Sequence, residues 1–239
     1  MKHLATLLAA GLLLSAATAS AQTTFRLGVR GGLNRAQMMQ QVATNTFYSQ
    51  TIDNSGLYAW QAGGALEVNF GHFALQPALV FSQKGLQFNT TSSFVGIAGT
   101  DTRQSTGTSR YNWLELPLNL VYTLYGDHGL QLFAGPYVAL AVGGHQRGTS
   151  NSRSWTGDTR TSSLDQKFSY TDVSNGQRVD AGVNFGVGYR QGPLQVQLAY
   201  GLGLRDLHEL TQKVSPEAGV IDRAYNRGAQ LTGTYFFAL

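Results

Sequence analysis

Apolar and polar residues alternate along most of this chain with a period of two, the pattern of a half-buried β-strand. The stretch VDAGVNFGVGYRQGPLQVQLAYGLGL, residues 179 to 204, shows it most plainly. One parity carries Val183, Phe185, Val187 and Tyr189, then Val196, Leu198 and Tyr200; the other carries Asp180, Asn184 and Arg190, then Gln195 and Gln197. Helical periodicity is absent beyond the first residues. The spacing predicts eight strands, at about 24–34, 57–70, 73–88, 110–125, 129–143, 178–191, 193–204 and 227–239.

The connections alternate between two lengths. Gly71-His72, Gly126-Asp127-His128 and Gln191-Gly192 mark tight hairpins, in which glycine supplies the backbone conformations that short turns require. The other four connections, about 35–56, 89–109, 144–177 and 205–226, are long and rich in Ser, Thr, Asn, Gly and Asp. An even number of antiparallel strands with short turns at one end and long polar loops at the other is the layout of a transmembrane β-barrel. The expected fold is therefore an all-β, eight-stranded, antiparallel up-and-down barrel. Its apolar parity meets lipid and its polar parity meets a narrow interior.

Aromatic placement agrees with that topology, because Trp and Tyr collect where strands cross membrane interfaces. Phe25, Phe70, Phe73, Tyr122, Tyr125, Tyr189, Tyr235 and Phe237 fall near the turn end, and Tyr58, Trp60 and Phe81 near the loop end. The inward parity holds Arg26, Arg30, Glu67, Lys84, Glu115, Asn119, Gln131, Asp180, Asn184, Arg190 and Gln230. Buried ions need partners, so these residues are expected to form a polar network that fills the lumen. Hairpin register sets Glu67 between Arg26 and Arg30, and Lys84 near Glu115. An eight-stranded barrel is just wide enough for side chains, which argues against an open pore.

Composition adds an export route and removes several functions. Lys2, the apolar run Leu4 to Leu14 and the small residues Ala19-Ser20-Ala21 have the order of a signal peptide cleaved after Ala21. That leaves a single domain over 22–239, of 218 residues (239 minus 21). The chain has no Cys, so neither a disulfide scaffold nor a lipoprotein anchor is expected. Charged residues make up 13% of the chain, against about 25% in ordinary soluble domains, so surface charge is not what keeps it in its solvent. The net charge of +4 is dispersed, with no basic run, which sets nucleic acid aside as a partner.

Catalytic signals are weak. His72 and His128 lie in turns, His145 at a strand end and His208 in the last loop, and no motif gives any of them a Ser or acidic partner. Asp158, Asp165 and Asp172 recur every seven residues but lack the dense spacing of a calcium loop, and Arg153, Arg160 and Lys167 interleave with them. No cofactor or metal is expected.

Several blocks also carry a resemblance. FRLGVRGGLNRA after the signal, GGALEVNFGHFALQPALVFSQKG at 63–85, YNWLELPLNLVY at 111–122, LFAGPYVAL at 132–140 and VDAGVNFGVGYRQGPLQVQLAYGLGLRDL at 179–207 resemble successive blocks of the PorT-like outer-membrane β-barrel family. The resemblance implies an eight-stranded barrel in the outer membrane of a Gram-negative-type bacterium, without cofactor, inserted by the barrel-assembly machinery. It also implies a link to secretion of other proteins, after the member that names the family. Leu239 departs from the aromatic end residue usual in such barrels, while Phe237 keeps the parity.

The leading expectation is a non-enzymatic outer-membrane barrel that presents its external loops to partners or surface polymers. Arg147, Arg153, Trp155 and Arg160 in the longest loop are its candidate contacts. The alternatives are an accessory component of a secretion machine, a soluble lipocalin-like binding barrel with its faces reversed, and a lipid-modifying enzyme that uses His145 or His208.

Overall fold

The computed structural model describes residues 23–42, 47–125, 128–168, 178–207 and 221–238. The expected signal segment, His208, Asp172 and Leu239 lie outside them. Among the described residues there are nine strands: β1 (Thr24–Val42), β2 (Tyr48–Phe70), β3 (Phe73–Gly96), β4 (Gly99–Thr123), β5 (His128–Arg153), β6 (Thr159–Phe168), β7 (Val179–Gln191), β8 (Leu194–Gly203) and β9 (Ile221–Ala238). All pair antiparallel.

Eight of them close into a ring. Pairing runs β1 to β5 in order, then β7, β8 and β9, and the seam closes where β9 pairs with β1 from Arg26↔Ala238 to Val42↔Ile221. Closure pairs the ring's edge amides internally, the condition for strands to cross a hydrocarbon layer. The turns at 71–72 and 191–192 form as their sequences require, with Gly71 (φ 85°) and Gly192 (φ 57°) in the left-handed region, while Gly126 and Asp127 of the third lie outside the described residues.

The two faces are those the alternation predicts. Leu27, Val29, Leu79, Leu116, Leu132, Phe185, Val187, Leu198 and Leu231 point outward and are about half exposed. Glu67, Gln76, Gln131, Asp180, Arg190, Gln195 and Gln197 are buried inside. The lipocalin-like alternative required the opposite arrangement and does not describe this barrel.

The long connections are where the structure departs from expectation. Strand pairing continues well past the expected ends: β2 and β3 pair up to Tyr48↔Phe94, β3 and β4 up to Gly96↔Gly99, and β4 and β5 up to Thr102↔Arg153. Residues 159–168, expected in a loop, form β6 against the upper part of β5. The expected loops 35–56, 89–109 and 144–177 are thus largely strand. Five strands stand above the ring as a β-paddle, while β7 and β8 stop at the ring's rim. These segments are still strands because Ser and Thr suit the pleated backbone, but both faces meet water, so the alternation loses its apolar member.

A second departure is a bulge between β4 and β5 at Asn112/Trp113, which inserts one residue opposite β4 and reverses the parity of β5 beyond Val142. It turns His145 and Arg147 outward.

Leu198 lies near the middle of the outward apolar band. Leu198→Arg is expected to cost roughly 2–4 kcal/mol in vesicle-reconstituted protein. Thr106→Arg, on the paddle's outer face, should stay within about 0.5 kcal/mol. Urea titration followed by the mobility of unboiled protein measures both, and equal costs would contradict the assignment of the lipid face.

Candidate functional site

The interior is arranged in tiers. At the turn end Glu67, fully buried, accepts hydrogen bonds from Arg26 Nη1 at 3.2 Å, Arg190 Nη1 at 2.5 Å and Gln76 Nε2 at 2.7 Å. Arg190 also donates from Nε to the Gly192 carbonyl at 2.9 Å and lies over the Phe236 ring at 5.0 Å. Gln195 Nε2 donates to Gln131 Oε1 at 2.7 Å, and Gln131 Nε2 to Thr123 Oγ1 at 2.9 Å. One carboxylate thus ties together β1, β2, β3 and β7.

Arg30 does not take the role expected for it beside Glu67. Its register partner on β2 is Gly63, four residues along the strand from Glu67, or about 13 Å at the usual rise. It points into the middle tier, where Nε donates to Thr234 Oγ1 at 3.0 Å and Nη2 to Gln197 Oε1 at 2.6 Å. The same tier holds Asn34, whose Nδ2 donates to Ser82 Oγ at 3.1 Å, together with Asn119, Asn184 and Gln230. The Lys84 Nζ to Glu115 Oε1 ion pair spans 2.8 Å one tier higher. There Asp180 Oδ2 accepts from Tyr137 Oη at 3.1 Å and from Asn226 Nδ2 at 2.9 Å.

An apolar cap that the sequence reading did not single out closes the loop end. Trp113, 0% exposed, packs with Met38, Leu86, Tyr111, Tyr137, Leu207 and Ala224. Leu207, just past β8, is folded inward: its amide bonds the Ala224 carbonyl at 2.8 Å, and Asp206 Oδ1 accepts from the Ala224 amide at 2.9 Å. The signal was available, since Tyr111 and Trp113 share the parity of Glu115. Lys84 lies 5.8 Å from the Trp113 ring and 5.4 Å from that of Tyr137, which joins cap to network. Interior voids of about 10 and 20 Å³ among the described residues have room for a single water each. The described lumen is a packed core.

Outside the ring, the paddle's inner face forms a cup of about 600 Å³ lined by Tyr48, Ser92, Phe94, Asp101, Arg103, Ser152, Asp158 and Arg160. Two of the four candidate loop contacts, Arg153 and Arg160, line it; Trp155 is exposed at the adjoining tip, and Arg147 lies elsewhere, on the outward face. Both carboxylates at the cup hold the tip turn. Asp101 Oδ1 accepts from the Trp155 amide at 2.9 Å and Asp158 Oδ2 from Thr156 Oγ1 at 2.8 Å. Arg103 is oriented by Ser150, whose Oγ accepts from its Nε at 2.8 Å and lies 3.0 Å from Ser105 Oγ. Burial raises the Tyr48 phenol above its ordinary value, partly offset by a hydrogen bond with Ser92. Aromatic faces, guanidinium groups and hydroxyls together suit a polar, anionic or sugar-like ligand.

On the outward face His145 Nε2 meets Asp165 Oδ1 at 2.5 Å, with Arg147 Nε 3.7 Å from the same oxygen. His72 Nδ1 lies 3.0 Å from the Thr123 carbonyl in a turn, and His128 stacks on Tyr125.

Residues 20–209 match the family described as outer membrane protein beta-barrel domain. Ail, the attachment invasion locus protein of Yersinia pestis, aligns over 90% of this chain and 99% of its own, at 8% identity and a TM-score of 0.41. Neisserial surface protein A aligns over 88% and 97%, at 8% identity and 0.40, and the outer membrane protein OprG from Pseudomonas aeruginosa over 91% and 98%, at 13% and 0.37. No curated protein matches the sequence.

Glu67→Ala strands Arg190 as an uncompensated buried charge and is expected to cost roughly 3–5 kcal/mol in the vesicle urea titration, with Glu67→Gln milder. A loss from Glu67→Ala below about 1 kcal/mol would remove the carboxylate from its central place. A second expectation concerns pH. The hydrogen bond with His145 holds the Asp165 carboxyl below the usual carboxylate range, with Arg147 adding to the effect. Because the folded value is the depressed one, the contact is intact above the ordinary carboxylate pKa and is lost as pH falls through the folded value. Carboxyl NMR titration should show Asp165 moving up toward the ordinary value in His145→Ala; an unchanged midpoint would contradict the contact.

Proposed function

The chain belongs to the outer membrane protein beta-barrel domain family, and from that footing we propose that it is a non-conducting, non-enzymatic barrel acting through surface contact made by its β-paddle. Its place is the bacterial outer membrane. The observation that carries the proposal is the contrast between interior and exterior. Among the described residues the lumen is filled by the Glu67, Arg30 and Lys84 tiers and capped by Trp113 and Leu207, which supports a barrel that does not work as a pore. Outside, strand pairing continues into a sheet that ends in a ligand-sized cup. Binding residues commonly sit on exposed elements held by a rigid frame.

In this reading Arg103 and Arg160 are the cup's charged contacts and Tyr48 and Phe94 its stacking surface, with Arg153 and Trp155 on the adjoining rim. Lipid covers the outward face, and the cell's barrel-assembly machinery inserts the chain. The narrower resemblance to PorT-like members, carried by the sequence blocks quoted above, supports a role beside a secretion machine as the second reading.

The test compares a deletion strain complemented with wild type or with Tyr48→Ala/Arg103→Ser/Arg160→Ser. Adherence of cells to one another and to glycan-coated surfaces should fall several-fold in the deletion and in the triple variant alike. Small-solute influx, outer-membrane lipid composition and export of other proteins should not change. Altered influx would point to a pore, altered lipid composition to an enzyme and altered export to the secretion role; any of these with unchanged adherence overturns the proposal.

A further inference from the structure

The outward face is uneven in charge. Among the described residues, every outward-facing Arg or Lys outside the cup lies at the loop end, where the apolar band stops: Arg35, Arg110, Arg147, Lys167, Arg223 and Arg227. None lies at the turn end, where Phe25, Phe70, Phe73, Tyr189 and Tyr235 form an uncharged girdle.

On one sector three of these cations lie on successive strands as diagonal neighbours. Arg110 on β4 is the register partner of His145 on β5, which is the partner of Lys167 on β6, and in the next row Thr108, Arg147 and Asp165 follow. Like charges in neighbouring strands destabilise a sheet unless an anion stands between them. The carboxylate present, Asp165, is engaged by His145 and Arg147. Among the described residues Arg110 and Lys167 have no anionic partner, so the row carries an excess of two cations (Arg110, Arg147 and Lys167 against Asp165).

The row also borders a cleft. Gln83, Thr108, Arg110, Asn112, His145 and Arg147 enclose about 340 Å³ on the outward side. The gap follows from the bulge at Asn112/Trp113 and from Gly143, which stands opposite outward-facing Asn112 without a side chain. Gln83 Nε2 donates to Asn112 Oδ1 at 3.2 Å along one wall.

The height of the cleft identifies its occupant. Leu114 and Val142, exposed apolar residues, lie just below the cleft. Arg110 is twelve residues up β4 from Tyr122, roughly 30 Å along the membrane normal at ~3.3 Å per residue and a ~40° tilt. That distance spans the hydrocarbon layer and puts the guanidinium at the headgroups of the outer leaflet. The lipid there is a phosphorylated glycolipid, and basic pockets at headgroup level capture lipid phosphates.

We propose that the cleft walled by Arg110 and Arg147, with Lys167 at its border beside His145, binds a phosphate on the sugar headgroup of one outer-leaflet glycolipid molecule. Arg110 contacts the phosphate from the cleft wall with Arg147, steadied by Asp165, beside it; Lys167 reaches it from the bordering strand, and Gln83 and Asn112 offer hydrogen bonds to sugar hydroxyls. The site is a membrane contact and is independent of the cup on the opposite face of the paddle.

The test uses the full-length barrel in detergent, with bound lipids counted by native mass spectrometry. The probes are phosphorylated lipid A, its dephosphorylated form, phosphatidylglycerol and inorganic phosphate. Wild type should retain one phosphorylated lipid A at least tenfold more tightly than the dephosphorylated form. Arg110→Gln and Lys167→Gln should each lose about tenfold, the scale of one charge-assisted hydrogen bond. Arg227→Gln, a loop-end cation on another sector, should bind as wild type, and all three variants should keep the heat-dependent mobility shift of a folded barrel. Equal binding of dephosphorylated lipid A overturns the proposal, as do equal loss in Arg227→Gln and equally tight binding of phosphatidylglycerol. Binding of inorganic phosphate alone also overturns it.

Discussion

Closure of the sheet is the constraint on which the rest of this structure depends. In hydrocarbon an unpaired amide has no water to turn to, so β1 must pair with β9 as fully as any other neighbours pair. With eight strands, closure makes a lumen only as wide as the side chains that fill it. Every inward residue must therefore find its partner within that lumen. Glu67 satisfies Arg26 and Arg190 together, and Arg30 is served by Thr234 and Gln197 on β9 and β8, which closure of the seam brings beside it. The polar core is a consequence of the ring and, once formed, holds the ring's circumference fixed.

The interior changes character with height. Polar tiers occupy the membrane-level lumen, whereas the loop-end mouth, adjacent to water, is closed by Trp113, Tyr111, Met38, Leu86 and Leu207. Apolar burial at the mouth gains from exclusion of water in a way that burial deep in the lumen cannot, because the alternative environment there is not bulk water. Lys84 joins the two regimes, with its ammonium on Glu115 and its flanks against Trp113 and Tyr137.

The ring and its two faces were legible from the sequence because one member of each alternating pair is apolar, as in Phe185-Gly186-Val187 or Leu194-Gln195-Val196. The inward residues followed from parity alone. What parity could not give is how the strands register with one another around the ring, and so Arg30 could not be matched to Gln197. The paddle was hidden for a different reason. In NTTSSF and GTDTRQSTGTSR both faces meet water, and a strand with two polar faces has the composition of a loop. The bulge at Asn112/Trp113 left one trace, the lapse of alternation at Gly143-Gly144, and through it the outward turn of His145 and Arg147 was lost.

Strand pairing that outlasts the membrane needs a reason not to spread sideways. Upper β2 and β6 each pair on one side among the described residues, and edges of that kind recruit further strands unless charge or twist blunts them. Here β6 carries Arg160, Asp165 and Lys167 within ten residues, and upper β2 carries Asp53 in a run of polar residues. A second copy laid edge to edge against β6 would bring further cations and carboxylates into contact in water, where exposed ion pairs gain little. The same charges that keep the paddle solitary also project the Arg160 guanidinium into the cup on one face and the Lys167 ammonium toward the membrane surface on the other. Edge protection and ligand contact are thus met by one short strand, made possible by the period of two that sends its successive side chains to opposite faces.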